Sequence, residues 1–438
     1  MLTFLKRIMN KLFVLITIIL LWIFSSPTHN FQLFSMEPSE EQEERVEKKK
    51  IRGEKGTLEK IISFPGAALY FPVKMTMIGI GETVGYVHAT KIPAKIEDFL
   101  TSDDGLRGLL PTYSARNGAG LNFYNKELTN RENELNLTAS VGLHNRQLYQ
   151  FDMEKVQIIE NVLFADYSMG YNYLPDEPFY GPGKDSRKKD ETNYGFQRAF
   201  VKLGVQPVTS RRFDIKAQFS YENINAFSGQ NSSITSISET YNSCCLPGLS
   251  DQIDLVSSVL QLQFDTRDNE GGPRSGQYLI LDGGIYSQLE NNDYEFLKIT
   301  ADIRQYFHLF YNRTIQLRFA AQGVKATQDK KIPFYYLSEL GEQNTIRGFE
   351  RGRYRDRYLI LASIEYRYPV WRRLEKTMDA FLFFDAGQVA NDFEKEVALP
   401  NMKYGYGIGF RLWDIGNESI RIAVSRSEEQ IRFYFTLN

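Results

Sequence analysis

The sequence predicts an all-β fold: a sixteen-stranded antiparallel transmembrane β-barrel with a short N-terminal periplasmic segment. Three observations carry this prediction. From residue 109 onward the chain is a succession of alternating apolar and polar runs separated by turn residues, and sixteen such runs can be counted. Mean hydropathy is only −0.37 although 42% of residues are hydrophobic, as expected when strands turn apolar side chains outward at every second position. Aromatic residues make up 14% of the chain, with 26 Tyr and 31 Phe, which suits girdles at two membrane interfaces.

The elements follow in order. Lys6, Arg7 and Lys11 precede a thirteen-residue uncharged run, 12–24, and then Ser25, Ser26 and Pro27. This reads as a signal peptide over 1–26, or as a signal anchor. The run is short for a spanning helix, which needs ~20 residues. Residues 27–105 read as a charged periplasmic tether, Glu-rich then Lys-rich over 37–60, and a short helical cap broken by Pro65 and Pro72. Residues 106–438 read as the barrel. Its first hairpin is 109–115 and 119–126, joined through Asn117-Gly118. Further strands are expected near 133–143, 147–156, 160–173, 193–205, 211–222, 253–265, 276–289, 293–308, 313–326, 357–370, 378–390, 403–413, 418–426 and 431–438. Long loops at 174–192, 223–252 and 327–356 alternate with short turns, the asymmetry of an outer-membrane barrel.

The alternation is explicit in the best strands. Val256, Leu260, Leu262 and Phe264 share one face, and Ser257, Gln261, Gln263 and Asp265 the other. Tyr358, Ile360, Ala362, Ile364 and Tyr366 oppose Ser363, Glu365 and Arg367. A soluble sandwich would turn such charges to solvent, whereas a barrel turns them to a wet lumen. Adding the N-terminal segment, the strand count and the aromatic-rich last strand favours the barrel.

Residues 340–349 (LGEQNTIRGF) form a polar stretch between two such runs. Arg347 there is followed by Glu365 on one strand and Asp385 on the next. If the loop folds back into the lumen, its guanidinium fork can be held by both carboxylates, because a buried arginine without partners is costly. Gly387 shares the face of Asp385 and leaves room for a tucked loop. The first strand contains Pro111, which donates no ladder hydrogen bond. A seam between the first strand (Pro111, Tyr113) and the last (Phe433, Tyr434, Phe435) is therefore expected to pair poorly, and cysteines at positions 113 and 434 are the first cross-link pair it suggests.

The order of these motifs resembles the BamA/TamA outer-membrane assembly and translocation superfamily, in which an R-G-F or R-G-Y tip on the sixth external loop is tucked into a sixteen-stranded barrel. The match lies in Arg347-Gly348-Phe349, in 361–366 (LASIEY), in 383–387 (FFDAG) against F-x-D-x-G, in 265–276 and in the Gly-rich 406–411. It covers about residues 105–438. The resemblance implies insertion or translocation of unfolded outer-membrane or secreted client proteins, with the first–last seam as lateral gate and outer-membrane lipids as surroundings. The family's periplasmic POTRA modules, which receive clients, find space for one at most in 27–105, so a pore or a structural, lipid-contacting barrel is the alternative.

Other classes find little support. The net charge of −2 argues against a nucleic-acid binder. No hydrolase elbow, zinc-protease or phosphate-loop motif occurs, so neither an enzyme nor a cofactor is expected. His29, His88, His144 and His308 are scattered, and the adjacent Cys244 and Cys245 offer no metal-ligand spacing. The oligomeric state is left open.

Overall fold

The structure is a computed structural model that describes residues 100–438, apart from 115, 129–132, 211, 242–244, 374–375, 414–417 and 438. The expected signal peptide, nearly all of the tether and cap, and Cys244 lie outside the described residues. The strands are β1 Arg107–Ser114, β2 Gly118–Asn125, β3 Glu134–Val141, β4 Gln147–Ile159, β5 Leu163–Phe179 and β6 Thr192–Pro207. They continue as β7 Phe213–Ser228, β8 Gln252–Asp265, β9 Gly276–Gln288, β10 Glu295–Leu309, β11 Arg313–Ala326, β12 Ser338–Leu340 and β13 Tyr354–Asp356. The last five are β14 Tyr358–Arg373, β15 Lys376–Ala390, β16 Lys403–Trp413, β17 Glu418–Ser427 and β18 Ile431–Leu437.

Sixteen of these form one antiparallel sheet in chain order, β1 to β11 and then β14 to β18. Each strand meets its predecessor through a hairpin, so the sheet curls into a nearly closed barrel with no crossover. No helix among the described residues is long and apolar enough to cross a membrane. The sixteen strands coincide with the sixteen runs expected from the sequence. The largest boundary shifts are in β5 and β7, which run on into the expected loops 174–192 and 223–252 and, with one residue of β6, shorten those loops to 180–191 and 229–251. The added segments continue to pair, Glu177 with Tyr194 and Phe196 with Ala226, past a bulge in β5. A bulge shifts the local alternation by one residue, which hides a strand from a period-two reading.

The two ends of the barrel differ. Loops 180–191, 229–251 and 327–357 cluster at one end, and most connections at the other are short. Residues 310–312 turn there in three residues, with Tyr311 and Asn312 at φ of 58° and 56°. At the long-loop end Phe179, Tyr194, Ile237, Leu249 and Phe334 form a packed hydrophobic cluster, so its loops have a core of their own. Along the strands, exposed Leu317, Phe319, Ile364, Phe384, Ile408 and Ile422 face outward. Buried Glu365, Arg367, Asp385 and Arg411 face the lumen. Every strand but the first and last thus pairs on both sides, and the outward face over the middle of the wall is largely apolar, as a barrel in a bilayer requires.

Candidate functional site: the lumen loop and the first–last seam

Loop 327–357 does not stand outside the barrel. Its β12–β13 hairpin, Ser338–Leu340 against Tyr354–Asp356, carries residues 341–353 into the lumen. There Leu340, Ile346, Phe349 and Tyr354 pack on Leu359, Leu361 and Val389 of the wall, all buried. The polar appearance of 340–349 in sequence is consistent with this: Ile346 and Phe349 supply the apolar contact, and Arg347 supplies the charge.

Arg347 is held on every side. Its Nε and Nη2 donate to the two oxygens of Asp385, both at 2.7 Å, and its backbone N–H donates to Asp385 Oδ2 at 3.1 Å. Nη1 donates to Glu365 Oε2 at 3.0 Å and Nη2 also reaches Ser363 Oγ at 3.2 Å. The guanidinium lies 3.5 Å from the centroid of the Phe383 ring. Asp385 is fully buried and the Arg347 side chain is 7% exposed, so the bidentate pair is shielded from solvent screening. Glu365 is shared: Arg367 Nε donates to its other oxygen at 2.7 Å, and Arg421 lies 3.8 Å away.

Two glycines make the close approach possible. Gly348 sits at φ +99°, a conformation costly for other residues. A Cβ on Gly405 would lie 1.8 Å from the Arg347 carbonyl oxygen, so the Gly-rich β16 is smooth where the loop lies on it. Gly387 is tighter than expected, since a Cβ there would come within 3.0 Å of Leu340 Cδ1 and of the Ile360 carbonyl oxygen. Its side is already filled by the loop.

The same loop grips the last strand. The Gly348 N–H donates to the Tyr434 hydroxyl at 2.9 Å, and Ser427 Oγ donates to the Gly348 carbonyl at 2.8 Å. Gln343 Nε2 donates to Thr436 Oγ1 at 2.8 Å, and Arg432 Nη1 pairs with Glu350 at 3.0 Å. Residues 432, 434 and 436 are the lumen-facing positions of β18, and all three are bonded to residues 343–350.

Strands β1 and β18 approach within 8 Å between Cα atoms. Every consecutive pair in the sheet forms a ladder, but no ladder joins these two among the described residues. Pro111 lies inside β1, opposite Leu121, and is exposed. Tyr113, Phe433 and Phe435 are exposed at 47%, 79% and 51%, whereas Tyr434 is buried at 9%. Tyr113 pairs with Ala119 on the outward face and Tyr434 points inward to the loop, so cysteines at 113 and 434 would face opposite sides of the wall. That cross-link pair is replaced by outward positions on both strands, because a disulfide needs Cβ atoms about 4 Å apart.

At the long-loop rim the loop ties the two edges together indirectly. Glu177 accepts Arg116 from the β1–β2 turn at 3.0 Å and Arg146 at 3.2 Å, with Arg351 of the loop 3.6 Å away. Arg353 pairs with Glu429 at 2.7 Å in the β17–β18 turn. Tyr180 donates to Glu350, which also faces Lys188 at 3.7 Å. Burial alone would raise the Glu350 carboxyl, but the Tyr180 hydroxyl, Arg432 and Lys188 hold it below the usual glutamate range. Sequence reading found Arg347, Glu365 and Asp385 but missed these partners. Parity along 432, 434 and 436 was a signal for the lumen face of β18, but nothing in it names the loop as its partner.

At the short-turn end, residues 266–275 bend inward. Arg411 donates to the Gly271 carbonyl, Arg367 reaches the Pro273 carbonyl at 3.3 Å, and Arg274 lies 5.5 Å from the Trp413 ring centroid. On the opposite wall, Lys216, Gln218, Gln261, Asp282, Lys298 and Thr300 line a polar cavity. No group of acidic, His and Cys side chains suited to a metal ion occurs among the described residues.

Comparison with known proteins bears on the fold and the family. A crystal structure of BamA from Haemophilus ducreyi lacking POTRA domains 1-3 aligns with a TM-score of 0.55 at 14% identity, covering 75% of this chain and 69% of that one. CdiB from Escherichia coli aligns at a TM-score of 0.49 and 9% identity, over 75% of this chain and 61% of its own. CdiB from Acinetobacter baumannii gives 0.45 and 12%, over 75% and 58%. This chain therefore spans less than two thirds of either CdiB chain. A comparison of the sequence with curated proteins gives no match. The family model described as the Omp85 superfamily domain matches residues 113–438, most of the barrel and the whole of the lumen loop, and the chain belongs to the Omp85 superfamily.

Proposed function

We propose that this barrel resides in a bacterial outer membrane and inserts or translocates other proteins there by opening between β1 and β18. The observation that carries the reading is the one interrupted neighbour pair. Fourteen strands have partners on both sides, while β1 and β18 each present an unpaired edge to the other. Each ladder bond left unmade lowers the opening cost by about 1 kcal/mol. An unpaired edge is also a template on which an extended client segment can add as a strand. The mechanism is physical templating, with outer-membrane lipids and unfolded client chains as partners and no bond chemistry.

The lumen loop has a defined place in this reading. It bonds the inner face of β18 while leaving that strand's backbone edge free, so it supports the strand without closing the seam. Arg347 is the fixed end of the support, and Gly348 with Tyr434 is its working contact. An open pore is the second reading, and it is disfavoured because the loop and residues 266–275 occupy the lumen from both ends.

The test is a cross-link scan. Cysteines at Leu109, Pro111 or Tyr113 are combined with cysteines at Ile431, Phe433 or Phe435, and the outer-membrane proteome is profiled in cells relying on each variant. The expected result is that oxidised pairs keep a folded barrel but lose client assembly, and that reduction restores it. Full activity in every locked variant would replace this function with a structural or pore role.

A further inference from the structure

Arg313 opens β11 on the outward face. Its side chain lies over Tyr368 of β14: Thr314 pairs with Arg367, which faces the lumen, so residue 313 points the other way. The outward positions that follow, Leu317 and Phe319, are exposed apolar side chains. An arginine on this face stands out, because a cation toward lipid is costly except close to an interface. Arg313 is at such a place, one residue after the short turn 310–312 at the end opposite the long loops.

Its surroundings are built for a cation. The guanidinium carbon lies 4.9 Å from the Tyr368 ring centroid, 5.4 Å from that of Tyr311 and 5.6 Å from that of Phe310. Tyr366, on the same outward face, hydrogen-bonds the same side chain. Arg313 is only 6% exposed, yet its Nε and Nη1 have no hydrogen-bond partner. Aromatic faces attract the charge but leave those two N–H groups unmet. The rings that cover them are themselves accessible, Phe310 at 40% and Tyr311 at 41%, and Tyr311 sits on the left-handed turn. No carboxylate is paired with Arg313 among the described residues.

We propose that Arg313, walled by Phe310, Tyr311 and Tyr368, is a binding site for the phosphate of a membrane phospholipid at the short-turn rim. Nε–H and Nη1–H leave the planar guanidinium on different edges, with Nη2 between them, so each offers one charge-assisted hydrogen bond to a phosphate oxygen. The phosphate reaches them when the Tyr311 ring swings outward, and the aromatic walls then contact the glycerol and upper acyl chains. This rests on the barrel lying in a bilayer, with the short-turn end at one headgroup layer. It does not depend on the seam or on any client.

The full chain is purified in mild detergent, offered phosphatidylglycerol, and weighed intact by native mass spectrometry. Diacylglycerol with the same tails and inorganic phosphate alone serve as parallel probes. Wild type is expected to retain phosphatidylglycerol and to release diacylglycerol. Arg313→Gln is expected to lower retention about tenfold, the loss of one charge-assisted contact. Tyr311→Ala uncovers the fork and is expected to raise retention, a change that a purely structural arginine would not give. Arg313→Lys, which keeps charge without the fork, should fall between wild type and Arg313→Gln, and it carries the test if the Gln variant fails to fold. Equal retention by wild type and both Arg313 variants, or lowered retention in Tyr311→Ala, would overturn the assignment. So would inorganic phosphate competing as well as the phospholipid does at equal concentration. Heat-modifiable gel mobility and recovery with membranes, scored separately, report whether the barrel reading itself has failed.

Discussion

Replacing Arg347 by Ala is expected to cost about 3–5 kcal/mol, the usual penalty for breaking one side of a buried ion pair. The loss falls unevenly on the two carboxylates. Asp385 loses both guanidinium bonds at 2.7 Å and keeps the Ser363 hydroxyl at 2.6 Å. Glu365 still has Arg367 at 2.7 Å, so it contributes little of the penalty. Most of the loss is therefore the desolvated charge of Asp385, and removing that charge too should restore stability. The assay is equilibrium urea unfolding in lipid vesicles for wild type, Arg347→Ala, Asp385→Ala and the double variant. Both single variants should be strongly destabilised, and the double should lie well above their sum by about 2–3 kcal/mol, roughly 30- to 150-fold in the unfolding constant. Limited proteolysis should also cut within 327–356 in the single variants. A strictly additive cycle, or an Arg347→Ala barrel within about 0.5 kcal/mol of wild type, would refute the anchor.

Other outcomes follow from the same geometry. Tyr434→Phe strands the Gly348 N–H and should cost about 1–3 kcal/mol, read as a lower unfolding midpoint and faster oxidation of seam cysteine pairs. Gly348→Ala adds a Cβ 3.0 Å from the Arg426 carbonyl carbon at a left-handed position, and should lower the midpoint by at least about 1 kcal/mol while Gly283→Ala, with open space around it, should not. Acid should loosen the rim. The Glu350 carboxyl is held below its ordinary range, so its contribution is present above the unfolded pKa near ~4.3 and is lost as pH falls through the lower folded value. Proteolysis of loop 327–356 should therefore rise below about pH 4, and Glu350→Gln should show the same sensitivity already at pH 7. If cleavage is flat with pH in wild type, the Tyr180–Glu350–Arg432 contact does not hold the loop.

The sequence by itself determined the strand count, the connectivity and the wall face of the strands that alternate most cleanly. These properties are local. Period-two alternation tells which of Ser363, Ile364 and Glu365 faces the lumen, and Asn117-Gly118 closes a hairpin within four residues, whatever the rest of the chain does. Arg347, Glu365 and Asp385 were also legible: the resemblance of Arg347-Gly348-Phe349 to an R-G-F tip picks Arg347 among the loop's arginines, and two inward carboxylates call for a cation on electrostatic grounds. Only the tertiary structure decided that β5 continues past a bulge and that β7 runs on beside β6, that Glu365 is shared with Arg367, and that residues 343–350 bond positions 432, 434 and 436. The seam was half legible: Pro111 marked a poor donor, but neither strand's own sequence states whether its edge meets a partner. The physical reason is the range of the interaction. Alternation is set by the backbone over a few residues, whereas the partner of a loop amide eighty-six residues away depends on how the whole barrel curls.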